Sequence, residues 1–154
     1  MEAERYISEM VEPTIADLEA EPTSVRRAFV ASLVTFHTID YLTYPENSAA
    51  KRDTYRKECA DFAVIDRFAH AFKHVETGHE NSAIQPLAAK DVISRPPAFF
   101  EVGVWDLSRW DDQVGGVTVR QETSLDILQA LRRTVEFLRS KLEAQHSGQT
   151  GHTA

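Results

Sequence analysis

The sequence predicts a mainly α-helical domain, a four-helix bundle-like fold with a β-hairpin inserted before the C-terminal helix. Apolar residues recur at intervals of three and four in four segments, as they do along the buried face of a helix. A segment around residue 100 alternates instead, with Phe100, Val102 and Val104 on one side, which is typical of a strand. The chain has 154 residues, a length that suits one domain around a single core.

The composition limits the class of protein. Hydrophobic residues make up 42% of the chain and charged residues 27%, which is ordinary for a folded, soluble domain. The net charge of -7 argues against a generally basic surface for nucleic acids, although a local basic patch stays open. The single cysteine, Cys59, cannot form an internal disulfide. Because the sequence lacks a signal-peptide pattern and an apolar stretch of roughly 20 residues, we expect a cytoplasmic protein without membrane contact.

Two helices are predicted before residue 45. The first covers about residues 3–20, and it is either kinked at Pro13 or replaced there by a new helix with proline in its first turn. The second follows a cap at Thr23 or Ser24 and runs to about Tyr44. Pro45 ends it, because the residue before a proline avoids helical geometry.

A third helix is predicted to be the longest in the chain. Asn47–Ser48 can cap it, no Gly or Pro occurs from residue 49 to 77, and Gly78 is a natural C-terminal stop. Its length would be about 43 Å at about 1.5 Å per residue, so its first turns would project beyond the core. The residues predicted on its buried side are Tyr55, Phe62, Ile65, Phe68, Ala69, Phe72 and Val75.

The hairpin is predicted after a break at Ser94–Pro97. Its first strand covers about residues 99–105, where apolar side chains alternate. Its second strand covers residues 116–120, and the residues between the two strands form a polar loop.

The last helix is predicted to follow a cap at Thr123 or Ser124, and its apolar stripe begins at Leu125. Residues 145–154 are mostly small or polar, so we expect a disordered tail there. This leaves residues 1–144 as the single helical domain.

The predicted third helix carries a polar stripe, which we call the helix 3 stripe. At about 100° per residue, Asp66, His70 and Lys73 fall within a narrow arc. Arg67 and His74 lie beside this arc. The stripe is therefore unusually rich in groups that can exchange protons or bind anions.

The predicted second helix adds a histidine and an aspartate to an apolar face. Phe29, Leu33 and Phe36 share that face, and its continuation reaches Asp40, with His37 alongside. Burying these polar groups without partners would cost a few kcal/mol. We therefore expect His37 or Asp40 to pair with Arg67, His70 or His74 of the third helix.

Two interpretations of these residues need no catalysis. In the first, the helix 3 stripe is a solvated face, and His37 and Asp40 belong to a satisfied structural network. In the second, the stripe holds a metal ion, because His70 and His74 have the i, i+4 spacing with which two imidazoles bind one ion. His37, Asp40 or Asp66 would complete such a site.

A third interpretation is metal-free chemistry on a phosphodiester. Histidine acts as a general acid or base near neutral pH, and arginine or lysine can bind the phosphate and stabilise its developing charge. Arg67, Lys73 and His74 supply these groups on one helix.

Arg67, followed by six residues and then His74, resembles the Arg-x4-6-His motif of HEPN domains. These domains are small helical bundles, often dimeric. Many are metal-independent ribonucleases of toxin–antitoxin and antiviral systems, and others bind nucleotides or are inactive. The resemblance implies that Arg67 and His74 are a catalytic pair, with the polar His70 inside the motif. The stretch from Asp66 to His74 also looks like helices of many small bacterial proteins.

The resemblance covers the helical part of the chain and not the hairpin. It implies a homodimer that acts on RNA or a nucleotide without a cofactor. Two alternatives stay open beside it. One is a non-enzymatic interaction module with a structural His/Asp/Arg network, and the other is a metal-binding bundle.

Overall fold

The computed structural model describes residues 1–74, 86–98, 112–120, 122 and 124–149. In chain order the elements are α1 (Ala3–Tyr6), a π-helical turn (Ile7–Val11), α2 (Glu12–Ala20), α3 (Val25–Thr43), α4 (Ala49–Glu58), α5 (Ala60–His74), a 3-10 turn (Ala89–Asp91), β1 (Val92–Arg95), β2 (Gly116–Val119) and α6 (Ile127–Gln149). The core lies where α5 packs against α3 and α6, and where α2 packs against α3. The prediction of a mainly helical fold with a hairpin before the last helix is confirmed.

The first predicted helix is divided by a π-helical turn. Proline has no N–H, so Pro13 cannot make the α-helical bond to the carbonyl of Glu9. The wider turn directly precedes this position, and α2 begins at Glu12 with the proline in its first turn. The backbone keeps right-handed helical angles through Val11 and Glu12, so of the two predicted alternatives one helix distorted at Pro13 is the closer description.

The second predicted helix is α3, and its ends agree with the prediction. Ser24 precedes its first residue with extended backbone angles, and Tyr44 follows its last residue in a non-helical conformation. Phe29 and Phe36 are buried along its core face.

The third predicted helix is not continuous, so the prediction of one 43 Å helix is wrong. Cys59 has extended backbone angles (φ -137°, ψ 109°) and separates α4 from α5. The main-chain N–H of Phe62 donates to Cys59 Sγ at 3.4 Å, so the thiol caps the first turn of α5. The break occurs without glycine or proline, which is why the local sequence did not reveal it.

Burial of Tyr55 gives a physical reason for this break. Tyr55 is the buried residue of the otherwise polar α4. Its ring packs edge-on against Phe62 and Phe137, with centroid distances of 5.7 and 5.1 Å. A straight helix would carry Tyr55 away from the core, whereas the break at Cys59 turns α4 back onto α5 and α6 and removes the ring from water.

The predicted buried side of this region is right for α5 up to Ala69. Phe62, Ile65, Phe68 and Ala69 are buried, but Phe72 is 49% exposed. Phe72 stacks on the outer side of Phe29, with ring centroids 4.9 Å apart, and so lies at the margin of the core. Val75 lies outside the described residues.

The two-stranded sheet uses a different first strand from the one predicted. β1 pairs antiparallel with β2, and the register joins Val92 to Val119 and Arg95 to Gly116. The predicted break at Ser94–Pro97 is therefore wrong for Ser94 and Arg95, which belong to β1. The strand predicted over residues 99–105 lies outside the described residues.

A buried arginine ties the sheet to the last helix. Arg95 is fully buried, and its Nη2 lies 2.7 Å from Asp112 Oδ2 and 3.2 Å from Asp126 Oδ2. Asp126 Oδ1 also accepts the main-chain N–H of Gln129, so this aspartate caps α6 in place of the predicted Thr123 or Ser124.

The last helix extends beyond its predicted end. α6 continues through Gln149, so the predicted boundary of the disordered tail at residue 145 is too early. Residues 150–154 lie outside the described part of the chain. Within the described part, no helix combines the length and the apolar character needed to cross a membrane.

Alanine substitutions of two phenylalanines should distinguish the buried side of α5 from its exposed side. Phe62 has 0% exposure, so Phe62→Ala should lower the free energy of unfolding by about 3–5 kcal/mol through lost burial and a cavity. Phe72→Ala on the same helix is the matched control and should cost about 1 kcal/mol. Urea denaturation of both variants measures the difference, and equal losses would contradict the described packing.

Candidate functional site

A small surface pocket lies where α3, α4 and α5 meet. Its volume is about 160 Å³. Its floor is apolar, and its polar lining combines two imidazoles, two cationic side chains, a hydroxyl and a carboxylate. The lining residues are Leu33, Phe36, His37, Asp40, Ser48, Arg52, Ala69, His70 and Lys73. The structure thus places His37 and Asp40 of α3 opposite His70 and Lys73 of the helix 3 stripe.

The buried carboxylate of Asp66 lies behind the pocket lining and holds the side chains of α4 and α5 that contact it. Asp66 is 1% exposed, and its Oδ2 accepts a hydrogen bond from Arg56 Nε across the break at Cys59. Burial alone would raise the pKa of Asp66, but hydrogen bonds from His70 and Arg56 outweigh it and lower the pKa. Asp66 is therefore a buried, ionised group that holds its neighbours in place.

His70 is oriented by this carboxylate. Its Nδ1 donates to the main-chain oxygen of Asp66 at 2.9 Å and lies 3.0 Å from the carboxylate Oδ1, with which the protonated ring forms an ion pair. The hydrogen bond to Asp66 raises the pKa of His70, although partial burial works in the opposite direction. The Phe36 ring packs edge-on against the imidazole, with centroids 5.1 Å apart. The contact with Asp66 therefore stabilises the imidazolium form of His70, and this contact does not use Nε2.

His37 is oriented in the same way from the opposite wall. Its Nδ1 lies 2.8 Å from Asp40 Oδ2, and Ser48 Oγ donates to Asp40 Oδ1 at 2.7 Å. A carboxylate is an acceptor, so it selects the tautomer with hydrogen on Nδ1 and leaves Nε2 of His37 as an acceptor. Both His37 and Asp40 are half-exposed at the pocket rim.

Two cationic side chains complete the lining. The Arg52 guanidinium lies 6.0 Å from the Phe36 ring centroid, and its Nε is buried without a hydrogen-bond partner among the described residues. Lys73 lies one turn from His70 on α5. Of the lining residues that the structure describes, Asp40 is the single carboxylate, and it already accepts bonds from His37 and Ser48. The pocket therefore favours an anion.

The predicted Arg67–His74 pair lies outside this pocket. Arg67 is mostly buried, and its Nη2 donates to Glu122 Oε1 at 2.8 Å. His74 is exposed near the described end of α5, and its ring centroid is 6.1 Å from that of His70. The expected pairing of His37 or Asp40 with the third helix is also not found, because the two residues bond to each other.

The described residues contain no group of three His, Cys, Asp or Glu side chains placed to share one metal ion. His70 and His74 have the expected i, i+4 spacing, but Nδ1 of His70 is already bonded to Asp66. The geometry therefore gives the predicted metal site of His37, His70 and His74 no third ligand.

Sequence reasoning missed three contributors to the site. The sequence predicts Arg52 to be a solvated residue near a helix start, gives Arg56 no role, and indicates Ser48 only as a helix cap, because a continuous helix places all three far from the stripe. One signal was present: Arg52 and Arg56 are four residues apart and share one face of α4. Glu122, the partner of Arg67, carries no comparable local signal.

Comparison of the chain with protein-family models, with curated proteins and with solved structures finds no significant match. The functional argument therefore depends on the geometry of the pocket and on its chemistry.

The His70–Asp66 contact should make stability depend on pH. The folded-state pKa of His70 is raised above the ordinary 6.5, so its stabilisation is fully present below that pH and is lost as pH rises through the folded pKa. The pKa of Asp66 is lowered below 3.8, so its stabilisation is present above that pH and is lost as pH falls through the folded pKa.

We expect wild type to lose unfolding free energy more steeply than His70→Gln, which lacks the titrating ring, as the pH rises above 6.5. His74→Gln, on the same helix and exposed, is the control and should follow wild type. Urea titrations at several pH values measure the slopes. Identical slopes for wild type and His70→Gln would contradict the assigned contact.

Proposed function

We propose that the pocket binds one phosphate group of RNA and cleaves the phosphodiester without a metal ion. The observation that carries this proposal is the pair of oriented imidazoles in one pocket. His37 and His70 line the same pocket, and each is held through Nδ1 by an aspartate, which leaves Nε2 of both rings available for proton transfer. A base and an acid on opposite sides of a phosphate are what 2′-hydroxyl transesterification needs.

The two imidazoles would take opposite roles. His37 accepts the proton of the ribose 2′-hydroxyl at Nε2, and the 2′-oxygen attacks phosphorus. The bond from phosphorus to the 5′-oxygen breaks, and imidazolium His70 donates its Nε2 proton to that oxygen. The products are a 2′,3′-cyclic phosphate and a 5′-hydroxyl, and no other reactant is consumed. The raised pKa of His70 supports its assignment as the acid.

Arg52 and Lys73 would stabilise the charge of the reacting phosphate. Both line the pocket, and a phosphorane carries more negative charge on its non-bridging oxygens than the substrate does. The pocket volume of about 160 Å³ is below the range of about 300–1,000 Å³ that is common for complete ligands. The pocket would therefore enclose the phosphate, while the nucleosides lie outside it.

The HEPN resemblance proposes another catalytic pair on the same helix. It assigns the chemistry to Arg67 and His74, whereas the pocket assigns it to His37 and His70. The ion pair of Arg67 with Glu122 favours a structural role for this arginine. The two assignments make opposite predictions for single variants, so experiment can separate them.

A non-enzymatic interaction module is the second candidate. Charged groups of the site region are bonded within the chain, as Arg56 is to Asp66 and Arg67 is to Glu122. Such a network is also what a purely structural role for the helix 3 stripe would produce. This candidate predicts stable folding without cleavage of any RNA.

Single variants should show which histidines act. In the presence of a chelator, His37→Ala and His70→Gln should each lower the rate of RNA cleavage by about 100- to 10,000-fold, because each removes a proton-transfer group. His74→Ala should retain the wild-type rate within a few-fold. Cleavage of a fluorescent single-stranded RNA measures the rates, and circular dichroism checks folding of each variant.

Other outcomes of this assay are equally informative. Loss in His74→Ala and Arg67→Ala with full activity in His37→Ala would favour the HEPN assignment and overturn ours. Equal cleavage by all variants would identify a contaminating nuclease. No cleavage by wild type would favour the interaction module.

A homodimer is also part of this proposal. The HEPN resemblance implies it, and Val30 and Phe72 leave apolar surface on α3 and α5 that a second subunit would cover. Light scattering at micromolar concentration should give twice the chain mass of 17.4 kDa. A monomeric mass across this range would contradict the dimer, while leaving the pocket chemistry unaffected.

A further inference from the structure

A larger groove adjoins the pocket between α3, α4 and α5, which we call the phosphate pocket. Its volume is about 1240 Å³, and it lies between the end of α3, the start of α4, α1 and the end of α6. His37 and Asp40 line both the groove and the pocket. A ligand whose phosphate is in the pocket can therefore place its remaining atoms in this groove.

The groove presents aromatic rings near that mouth. Tyr44 is 84% exposed, which is unusual for a ring of its size. Tyr41 is also exposed, and its other side stacks on the buried Tyr6 with centroids 4.0 Å apart. A ring held in this way loses little freedom when a planar ligand stacks on it.

The charge of the groove differs from that of the pocket. Its lining includes the carboxylates of Glu2, Glu4, Asp40 and Glu46, against Lys51 and the imidazoles of His37 and His146. Glu4 is bonded to Arg139, but Glu46 is exposed and lies two residues from Tyr44. The groove would repel a second phosphate and accept hydrogen bonds from amino groups.

We infer that the groove is a nucleobase subsite, which holds one base with an exocyclic amine beside the single phosphate in the pocket. This inference rests on the proposed function and specifies its substrate. The base stacks on Tyr44 or Tyr41, and its amine donates to Glu46. Cytosine, adenine and guanine carry such an amine and uracil does not, so the site prefers them over uracil.

The same charges select against long or paired nucleic acid. A duplex cannot stack its enclosed bases on a protein ring, and each further phosphate meets the carboxylates of the groove. The substrate class is therefore a short single-stranded RNA with one phosphodiester near the base, and not an extended polyanion.

Calorimetric titration of the full chain with three probes tests the inference. The probes are inorganic phosphate, cytidine 3′-monophosphate and uridine 3′-monophosphate. The affinity for phosphate measures binding in the pocket alone, and the affinity for the cytidine nucleotide measures binding in the pocket and the groove together. The difference in affinity between the cytidine and uridine nucleotides measures the contribution of the amine. We expect cytidine 3′-monophosphate to bind about 5-fold or more tightly than its uridine counterpart.

Two variants remove the groove contacts while leaving the pocket intact. Tyr44→Ala should weaken both nucleotides by about 5-fold or more and leave phosphate binding unchanged. Glu46→Ala should abolish the preference for cytidine. Val114→Ala and Glu136→Ala, an exposed apolar side chain and an exposed carboxylate outside both cavities, are the matched controls.

The outcomes separate this inference from the proposed function. If phosphate binds but the nucleotides bind no better, or if Tyr44→Ala and Glu46→Ala match their controls, the subsite is overturned and the phosphate pocket stands. If neither phosphate nor nucleotides bind, both proposals fall.

Discussion

The arrangement of the site depends on the bond between Arg56 of α4 and the buried carboxylate of Asp66 in α5. In one continuous helix these residues would be ten positions, or about 15 Å, apart along the axis, so no direct bond could form. The break at Cys59 brings Arg56 within reach of Asp66. The same break also buries the Tyr55 ring against Phe62, which adds an apolar contact between α4 and α5. A buried charge is costly without a partner, so Arg56 and the break are mutually dependent.

The consequences of this bond extend to the pocket surface. With Arg56 on one side, Asp66 stays ionised and holds the ring of His70 through Nδ1. The reversal of α4 also brings Arg52 above Phe36, where it lines the same pocket as His70. Arg52 and His70 would be about 27 Å apart in a straight helix. One change in chain direction therefore assembles both the acid and the anion-binding charge that we propose for catalysis.

The opposite wall is built by short-range contacts. His37 and Asp40 are one turn apart on α3, and Ser48 at the start of α4 fixes the carboxylate from the other side. The two walls differ in burial, since Asp66 lies beneath the surface whereas Asp40 stays at the rim. This asymmetry distinguishes the buried carboxylate that holds His70 from the half-exposed carboxylate that holds His37. It also places Asp40 at the boundary between a cationic pocket and an acidic groove.

The sequence by itself determined the helical class, the ends of α3 and the polar stripe of α5, because helical spacing and proline act locally. It also indicated that His37 and Asp40 lie near His70, since continuing two apolar faces brings their polar ends together. Only the tertiary structure decided the break at Cys59, the pairing of β1 with β2, and the partners of Asp66. Each of these depends on contacts between segments far apart in the chain, where burial of a ring or a charge outweighs the local preference.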